Sequence, residues 1–388
     1  MRGHVTKRGS GYAIRFDKGP DPVTGKRRQE YRSGYKTKRE AESALAELIG
    51  KAETGSLVER SRQSVREYLE EWIEAIEATV RPSTLHSYRR NIRVHVIPRI
   101  GGVRLQALDG ADLNLLYRQL LAPKADGGAG LAPRTVRYIH TILRRALKDA
   151  VRWSRLLRNP SDAADPPRPT AGRRIQYWDA GTLAEYLNRS RQADDRYLPL
   201  WTLLATTGAR RGEILGLRWQ DVDLKAKTAS IVQTVIAVDH EVQIGTPKTA
   251  KGRRSIVLDE GTVTELRRWR KRQAEERLLL GAGYRDHDLI FAKPTGEPLH
   301  PERVSREFVR RVERWDLPPL TLHGLRHTWA TLALKAGVHP KVVQERLGHS
   351  TIAITLETYS HVTGSLHEEA AEQVADLIRA QSVHTLGS

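Results

Sequence analysis

The segment Ser161–Arg174 (Ser-Asp-Ala-Ala-Asp-Pro-Pro-Arg-Pro-Thr-Ala-Gly-Arg-Arg) limits what this chain can fold into more than any other stretch. Its three prolines lack an N–H and fix φ, so neither a helix interior nor a central strand runs through them. It has no apolar period, whereas the sequence on either side does. The 388 residues, 39% of them hydrophobic, are ample for two or three cored domains. The chain therefore reads as separate domains at 1–58, 60–160 and 177–388, with an extended tether at 161–176. The fold class is multidomain α+β: a small sheet-and-helix N-terminal domain, an all-helical middle domain, and a mostly helical C-terminal domain with a small antiparallel sheet.

In the first domain, Tyr12–Phe16 alternates like a strand. Turn residues follow at Gly19–Pro22 and Thr24-Gly25, and Arg27–Tyr31 returns as a second strand. Tyr35–Lys38 is either a third strand or the lead into a helix at 39–49, with Thr37 as its N-cap. In the middle domain, Val65, Tyr68, Leu69, Trp72, Ile73 and Ile76 recur at helical spacing over 64–78. Pro82-Ser83 opens a second helix, with Ser83 the expected N-cap. Residues 111–121 form a third, and 133–155 the longest. Gly127–Gly130 reads as a flexible loop. The last domain shows helices at 179–190, 196–207 and 211–217, strands near 228–238, 241–246 and 254–258, and helices at 260–278, 301–315, 323–336, 340–347 and 351–359. An amphipathic helix over 366–380 follows.

Charge narrows the partner. The formal net charge is +19 and the pI about 10.2, which points to a polyanion and says nothing about fold. Residues 1–39 alone hold twelve Lys and Arg against three Asp and Glu, and a thin basic sheet suits groove reading in DNA. Basic positions run beside the apolar stripes of the middle domain: Arg89 and Arg93 on its second helix, Arg137, Arg144 and Lys148 on its longest. These are the candidate phosphate contacts. A solvated outer face explains any one of them equally well. With DNA as the partner, the domains flanking the tether are placed to clamp a duplex from opposite sides. Zero cysteines exclude disulfides and thiolate metal sites. No run of 18 apolar residues or signal peptide is evident, so no membrane role is expected and the cytoplasm is the simplest compartment.

The chemistry concentrates near the C-terminus. His323, Arg326, His349 and Tyr359 fall within 37 residues, in Leu322–His327, Leu347–Ser350 and Thr358–His361. No cluster of acidic metal ligands accompanies them. A tyrosine becomes a covalent nucleophile when its proton is removed and the product charge is held. An arginine fork holds phosphate oxygens. Helical residues three apart share a face, so His323 and Arg326 can address the same phosphate. Upstream, Thr207-Gly208-Ala209-Arg210-Arg211-Gly212-Glu213 allows the chain to reverse at Gly208 and start a helix at Arg210. Glu213, one turn on, is placed to hold Arg210. Lys248 sits in the loop Thr246–Gly252 between strands; alone it reads as a surface lysine. Arg211, Arg253, Arg254 and Lys251 neighbour these positions, and His327 and His361 read as packing residues.

The ordered set Arg210, Lys248, His323-x-x-Arg326, His349 and Tyr359 resembles the tyrosine recombinase, or phage integrase, family. The similarity is strong over 177–365. The middle domain resembles the family's core-binding domain, and the basic N-terminal segment resembles the arm-binding domain of integrases from temperate phages and integrative elements. The resemblance implies that Tyr359 attacks the scissile phosphorus, leaving a 3′-phosphotyrosyl bond and a 5′-hydroxyl. Arg210 and Arg326 would hold the non-bridging oxygens and Lys248 would protonate the leaving oxygen. His323 would act on the tyrosine proton or donate to the phosphate. His349 would bond a phosphate oxygen or orient its neighbours, with Glu213 in support. The implied partners are double-stranded DNA attachment sites, a homotetramer on DNA coupled through the 366–380 helix, an excisionase or directionality factor, and a host DNA-bending protein. No cofactor or metal is implied. The alternatives are a resolvase-type or chromosome-dimer recombinase, against which the basic N-terminal domain argues, a monomeric type IB topoisomerase, and a DNA-binding regulator with a decayed site. A relaxase-like nickase would need a His-rich metal site, and His-x-His does not occur.

Overall fold

The computed structural model describes residues 3–20, 25–53, 58, 60–168, 176–239, 241–246, 252–356, 375 and 379. The chain divides into two compact units, 1–172 and 173–388.

The first unit begins with β1 (Gly3–Arg8), β2 (Gly11–Pro20) and β3 (Arg27–Tyr35), an antiparallel sheet in that order, followed by α1 (Lys38–Glu53). Ile14 and Phe16 of β2 are fully buried against Ala41, Leu45 and Leu48 of α1. The strand β3 runs through Tyr35. Thr37 then caps α1, its hydroxyl accepting from the Glu40 N–H at 3.2 Å. The strand β1 is an addition to the sequence reading. Val5 is its one aliphatic side chain, too little alternation to register, and pairing with β2 creates it.

The helices α2 (Val65–Ala75), α3 (Pro82–Asn91), α4 (Ile97–Ile100), α5 (Gly110–Leu121) and α6 (Pro133–Arg152) share a separate core. Ser64 and Glu67 open α2 as a capping box: the Ser64 hydroxyl accepts from the Glu67 N–H, and the Glu67 carboxylate accepts from the Ser64 N–H at 2.7 Å. Ser83 is not an N-cap. Pro82 occupies the first turn of α3 after extended Arg81, because a fixed φ and a missing N–H suit that position. A π-helical turn at Ile92–Val96 joins α3 to α4. Trp72 and Tyr68 are fully buried; Trp72 Nε1 donates to Asp149 at 2.8 Å. The glycines at 127–130 are not a loose loop. The N–H groups of Gly128, Ala129, Gly130 and Leu131 donate to the carbonyls of Pro123, Gln119, Ala122 and Leu120. A Cβ on Gly128 would lie 2.0 Å from the Ala122 oxygen, so the glycine serves close approach. The start of the proline-rich stretch also packs on these helices. Ser161 is 2% exposed, Asp162 pairs with Arg144, and the Asp165 N–H donates to Asn114 at 2.8 Å.

The second unit comprises α7 (Ala180–Gln192), α8 (Leu198–Thr207), α9 (Arg211–Leu215), β4 (Val222–Asp223), β5 (Thr228–Ile231), β6 (Thr234–Val238), β7 (Glu241–Gly245), β8 (Arg254–Val257), α10 (Glu260–Leu280), α11 (Pro301–Arg314), α12 (Leu322–Lys335) and α13 (Pro340–Leu347). Residues 352–356 form one further helical turn. The strand expected at 228–238 is two strands in two sheets, β4-β5-β8 and the hairpin β6-β7. The chain breaks at Gln233, whose side chain donates to the Gly216 carbonyl at 2.8 Å. Helix α8 is apolar on every side and accordingly central, packed against α7, α10 and α12. Its Trp201 joins Tyr186 and Phe308 in an aromatic core, with Tyr186 and Phe308 centroids 5.0 Å apart. This rigid centre fixes where α8 ends, and that end is one wall of the site. The amphipathic helix expected at 366–380 lies, but for Ala375 and Arg379, outside the described residues. Among the described residues no helix is long and apolar enough to cross a membrane.

Candidate active site

Two helix C-termini build the site. Helix α8 stops at Gly208 and α13 at Gly348, both left-handed with φ +64° and +67°. The last carbonyls of a helix have no intrahelical donor and carry the negative end of its dipole. Both arginines are moored there. Arg326, 4% exposed, donates through Nη1 to the Gly208 carbonyl at 2.9 Å and through Nη2 to the Leu347 carbonyl at 2.8 Å. Arg210 Nη2 donates to the Gly348 carbonyl at 3.3 Å. A side chain on Gly208 is shut out twice, by its positive φ and by Trp329, 2.7 Å from where a Cβ would stand.

Glu213 organises Arg210 as the spacing implied. The extended Arg210 precedes α9, its N–H donates to Glu213 Oε2 at 2.9 Å, and its Nη1 donates to Oε1 at 2.8 Å. A second cation shares that carboxylate. Arg254 Nη2 donates to Glu213 Oε2 at 2.8 Å, and Arg254 Nε donates to the Arg346 carbonyl of α13 at 2.8 Å. Burial works to raise the Glu213 carboxyl, but the Arg254 bond and charge, with Arg210, outweigh it and hold it below the ordinary range. Arg210 remains 43% exposed at its side chain, whereas Glu213 and Arg254 are at 4% and 9%.

Both histidines stand among these cations. Thr321 caps α12, so His323 and Arg326 sit in its first turns. Burial, then Arg326, Arg210 and Arg211, push the His323 imidazole below its usual range, and its ring packs edge-on to His327 with centroids 4.9 Å apart. Burial, then Arg326, Arg210, His327 and Arg254, push His349 down to about 4. Both rings are therefore neutral near pH 7, able to take a proton or donate one hydrogen bond. The His349 backbone is pinned by Gln344, which accepts from its N–H at 3.1 Å and donates to its carbonyl at 2.6 Å. Its Nδ1 lies 2.9 Å from the Thr355 hydroxyl.

The structure thus brings Arg210, Glu213, His323, Arg326 and His349 to one place. Lys248, Tyr359 and His361 lie outside the described residues. The five basic candidates of the helical domain vary in setting. Arg93 makes a forked pair with Glu70, Arg144 pairs with Asp162, and Arg89 lies 4.0 Å from Glu77. Arg137 and Lys148 are exposed on α6. Sequence reasoning named Arg254 only as a neighbour of the catalytic positions, and passed over Thr355. Arg254 sits in the basic run Lys251–Arg254, where nothing marks one cation as buried, and Thr355 is a threonine in a mixed apolar stretch. Pairing across the sheet and the chain reversal after α13 select them.

The model of the phage integrase family matches residues 175–365, the stretch that contains Arg210, Glu213, Arg254, His323, Arg326, His349 and Thr355. Residues 175–365 belong to the phage integrase family. The chain also matches an arm DNA-binding domain over 4–52 and the N-terminal SAM-like domain of phage integrases over 64–121. The ICEBs1 integrase of Bacillus subtilis is 24% identical over 372 residues, covering 95% of this chain and 97% of its own. A solved Tn1549 transposon integrase in complex with transposon right end DNA superposes with a TM-score of 0.66 at 21% identity, over 80% of this chain and 99% of that one. A lambda integrase tetramer bound to a Holliday junction does so at 0.54 and 16%, over 89% and 95%. The last two show a shared fold. The enzyme is a site-specific recombinase of the tyrosine recombinase class.

Proposed function

We propose that this recombinase is the integrase of a mobile element and joins DNA through a 3′-phosphotyrosyl intermediate. The observation that carries the reading is the mooring of Arg210 and Arg326 to two helix ends beside two neutral histidines. Cations held this way need no reorganisation when a phosphorane forms, which is where preplaced donors are worth most. Arg326 and Arg210 hold the non-bridging oxygens. The Tyr359 oxygen attacks phosphorus, the P–O5′ bond breaks, and Lys248 supplies the proton that leaves with the 5′-hydroxyl. His323, uncharged, accepts the tyrosine proton. His349 donates to a phosphate oxygen. The covalent link keeps the phosphodiester energy, so a second strand's 5′-hydroxyl reverses the step without ATP.

The same reading gives each segment a task. Residues 1–58 bind arm-type DNA and 60–160 grip the core site through Arg89, Arg93, Arg137, Arg144 and Lys148. Beyond Ser161–Asp165, which pack on the helices, the chain joins the helical domain to the 177–388 domain, which acts on the same duplex. A homotetramer assembles on paired attachment sites, with a directionality factor and a DNA-bending protein biasing the outcome. The Glu70 and Asp162 pairs exchange for phosphate pairs on binding, at little cost because exposed ion pairs are worth about 0–1 kcal/mol.

Two plasmids carrying the attachment sites that flank the element test this reading. Wild type should yield recombinants in EDTA without ATP, and Arg326→Ala none. Tight site binding with no recombination by wild type would favour a DNA-binding regulator.

A further inference from the structure

The Thr355 hydroxyl stands 2.9 Å from His349 Nδ1, on a residue with no exposed surface. The His349 backbone is already fixed on both sides by Gln344, so what Thr355 adds is control of the ring: its rotation and the nitrogen that carries the proton. A neutral imidazole has one N–H and one lone pair, and a hydroxyl can serve either. The partner of one nitrogen decides which tautomer the other presents. For His349 to donate to a phosphate oxygen through Nε2, the Nδ1 lone pair must receive a donor. Thr355 is placed to give it.

We infer that Thr355 is a positioning residue for strand cleavage, its hydroxyl donating to Nδ1 and holding His349 with the proton on Nε2. The inference rests on the reading of His349 as a phosphate donor. It also ties His349 to the stretch that leads into Tyr359, four residues beyond Thr355 in the sequence.

The test uses the full chain. Histidine-selective 15N labelling, with His349 assigned by loss of its signal in His349→Gln, reads the tautomer directly. Cleavage of a nicked attachment-site duplex reads the consequence. In wild type, Nε2 should carry the proton. Thr355→Val keeps the shape and removes the donor; it should scramble the tautomer and slow covalent adduct formation roughly 10–100-fold, at most the lower end of the roughly 10²–10³-fold cost of removing a preplaced donor outright, because His349 itself remains. Thr355→Ser should restore both. A wild-type spectrum with the proton on Nδ1 overturns the inference whatever the variants do. So does Thr355→Val with an unchanged tautomer and cleavage rate. If His349→Gln cleaves at the wild-type rate while the tautomer shifts as expected in Thr355→Val, the phosphate-donor reading fails and the hydrogen-bond assignment stands.

Discussion

Removing Glu213 should cost far more stability than removing the arginine it was first recognised as holding. The carboxylate is 4% exposed and accepts from Arg210 and from Arg254, itself 9% exposed. Glu213→Ala leaves the Arg254 guanidinium buried without its counter-charge. Breaking one partner of a buried pair costs about 3–5 kcal/mol, because the remaining charge is uncompensated. Arg210→Ala is different. That side chain is 43% exposed, so its pair falls in the range of about 0–1 kcal/mol for exposed ion pairs, and Glu213 keeps Arg254. For a unit of this size each 1 kcal/mol moves Tm by roughly 2–4 °C. Glu213→Ala should therefore lower the transition of the C-terminal unit by roughly 6–20 °C, and Arg210→Ala by no more than about 4 °C, while both abolish cleavage. Calorimetric scans of the two variants against wild type at pH 7 measure the difference. Equal shifts, or a Glu213→Ala shift below about 4 °C, would refute the claim that Arg254 is the costly partner.

Other expectations follow from the same geometry. His349 should titrate near 4 by histidine NMR instead of the ordinary value near 6.5. Because the folded chain then binds fewer protons than the unfolded one between those values, this group should lower stability as pH falls from about 6.5 to 4 and leave it unchanged above; a midpoint near 6.5 would contradict the burial argument. Gly208→Ala must adopt a left-handed φ and meet Trp329, so it should cost about 1–3 kcal/mol and displace the carbonyl that Arg326 binds, seen as a lower Tm with cleavage lost; full activity would show that Arg326 does not depend on that carbonyl. If about 6–10 phosphates are neutralised per protomer, affinity for attachment-site DNA should fall roughly 10³–10⁵ between 50 and 200 mM salt, and a flat response would count against phosphate-dominated binding.

Much of this was legible in the sequence because the informative residues are local. Periodic apolar positions such as Tyr68, Leu69, Trp72 and Ile73 mark α2. His323 and Arg326 share a helix, and Arg210 and Glu213 share a turn, so spacing alone suggests their partnership. What was not legible depends on contacts distant in sequence. Arg254 reaches Glu213 across 41 residues, and Arg326 reaches Gly208 across 118. The strand β1 exists because β2 offers it a ladder. The glycines at 127–130 read as freedom by composition, but the Ala122 carbonyl beside Gly128 makes them a packing requirement. The break at Gln233 that splits one expected strand depends on a hydrogen bond to Gly216 that no local pattern announces.

The central claim is that Tyr359 becomes covalently joined to DNA. A nicked duplex carrying the element's core site traps that state, because the short leaving strand diffuses away. Wild type incubated with it in EDTA should give a protein–DNA adduct whose digest leaves nucleotide on the peptide containing Tyr359, and Tyr359→Phe should bind the site and give none. An adduct that persists in Tyr359→Phe, or a tightly bound site that never becomes covalent with wild type, would contradict the account.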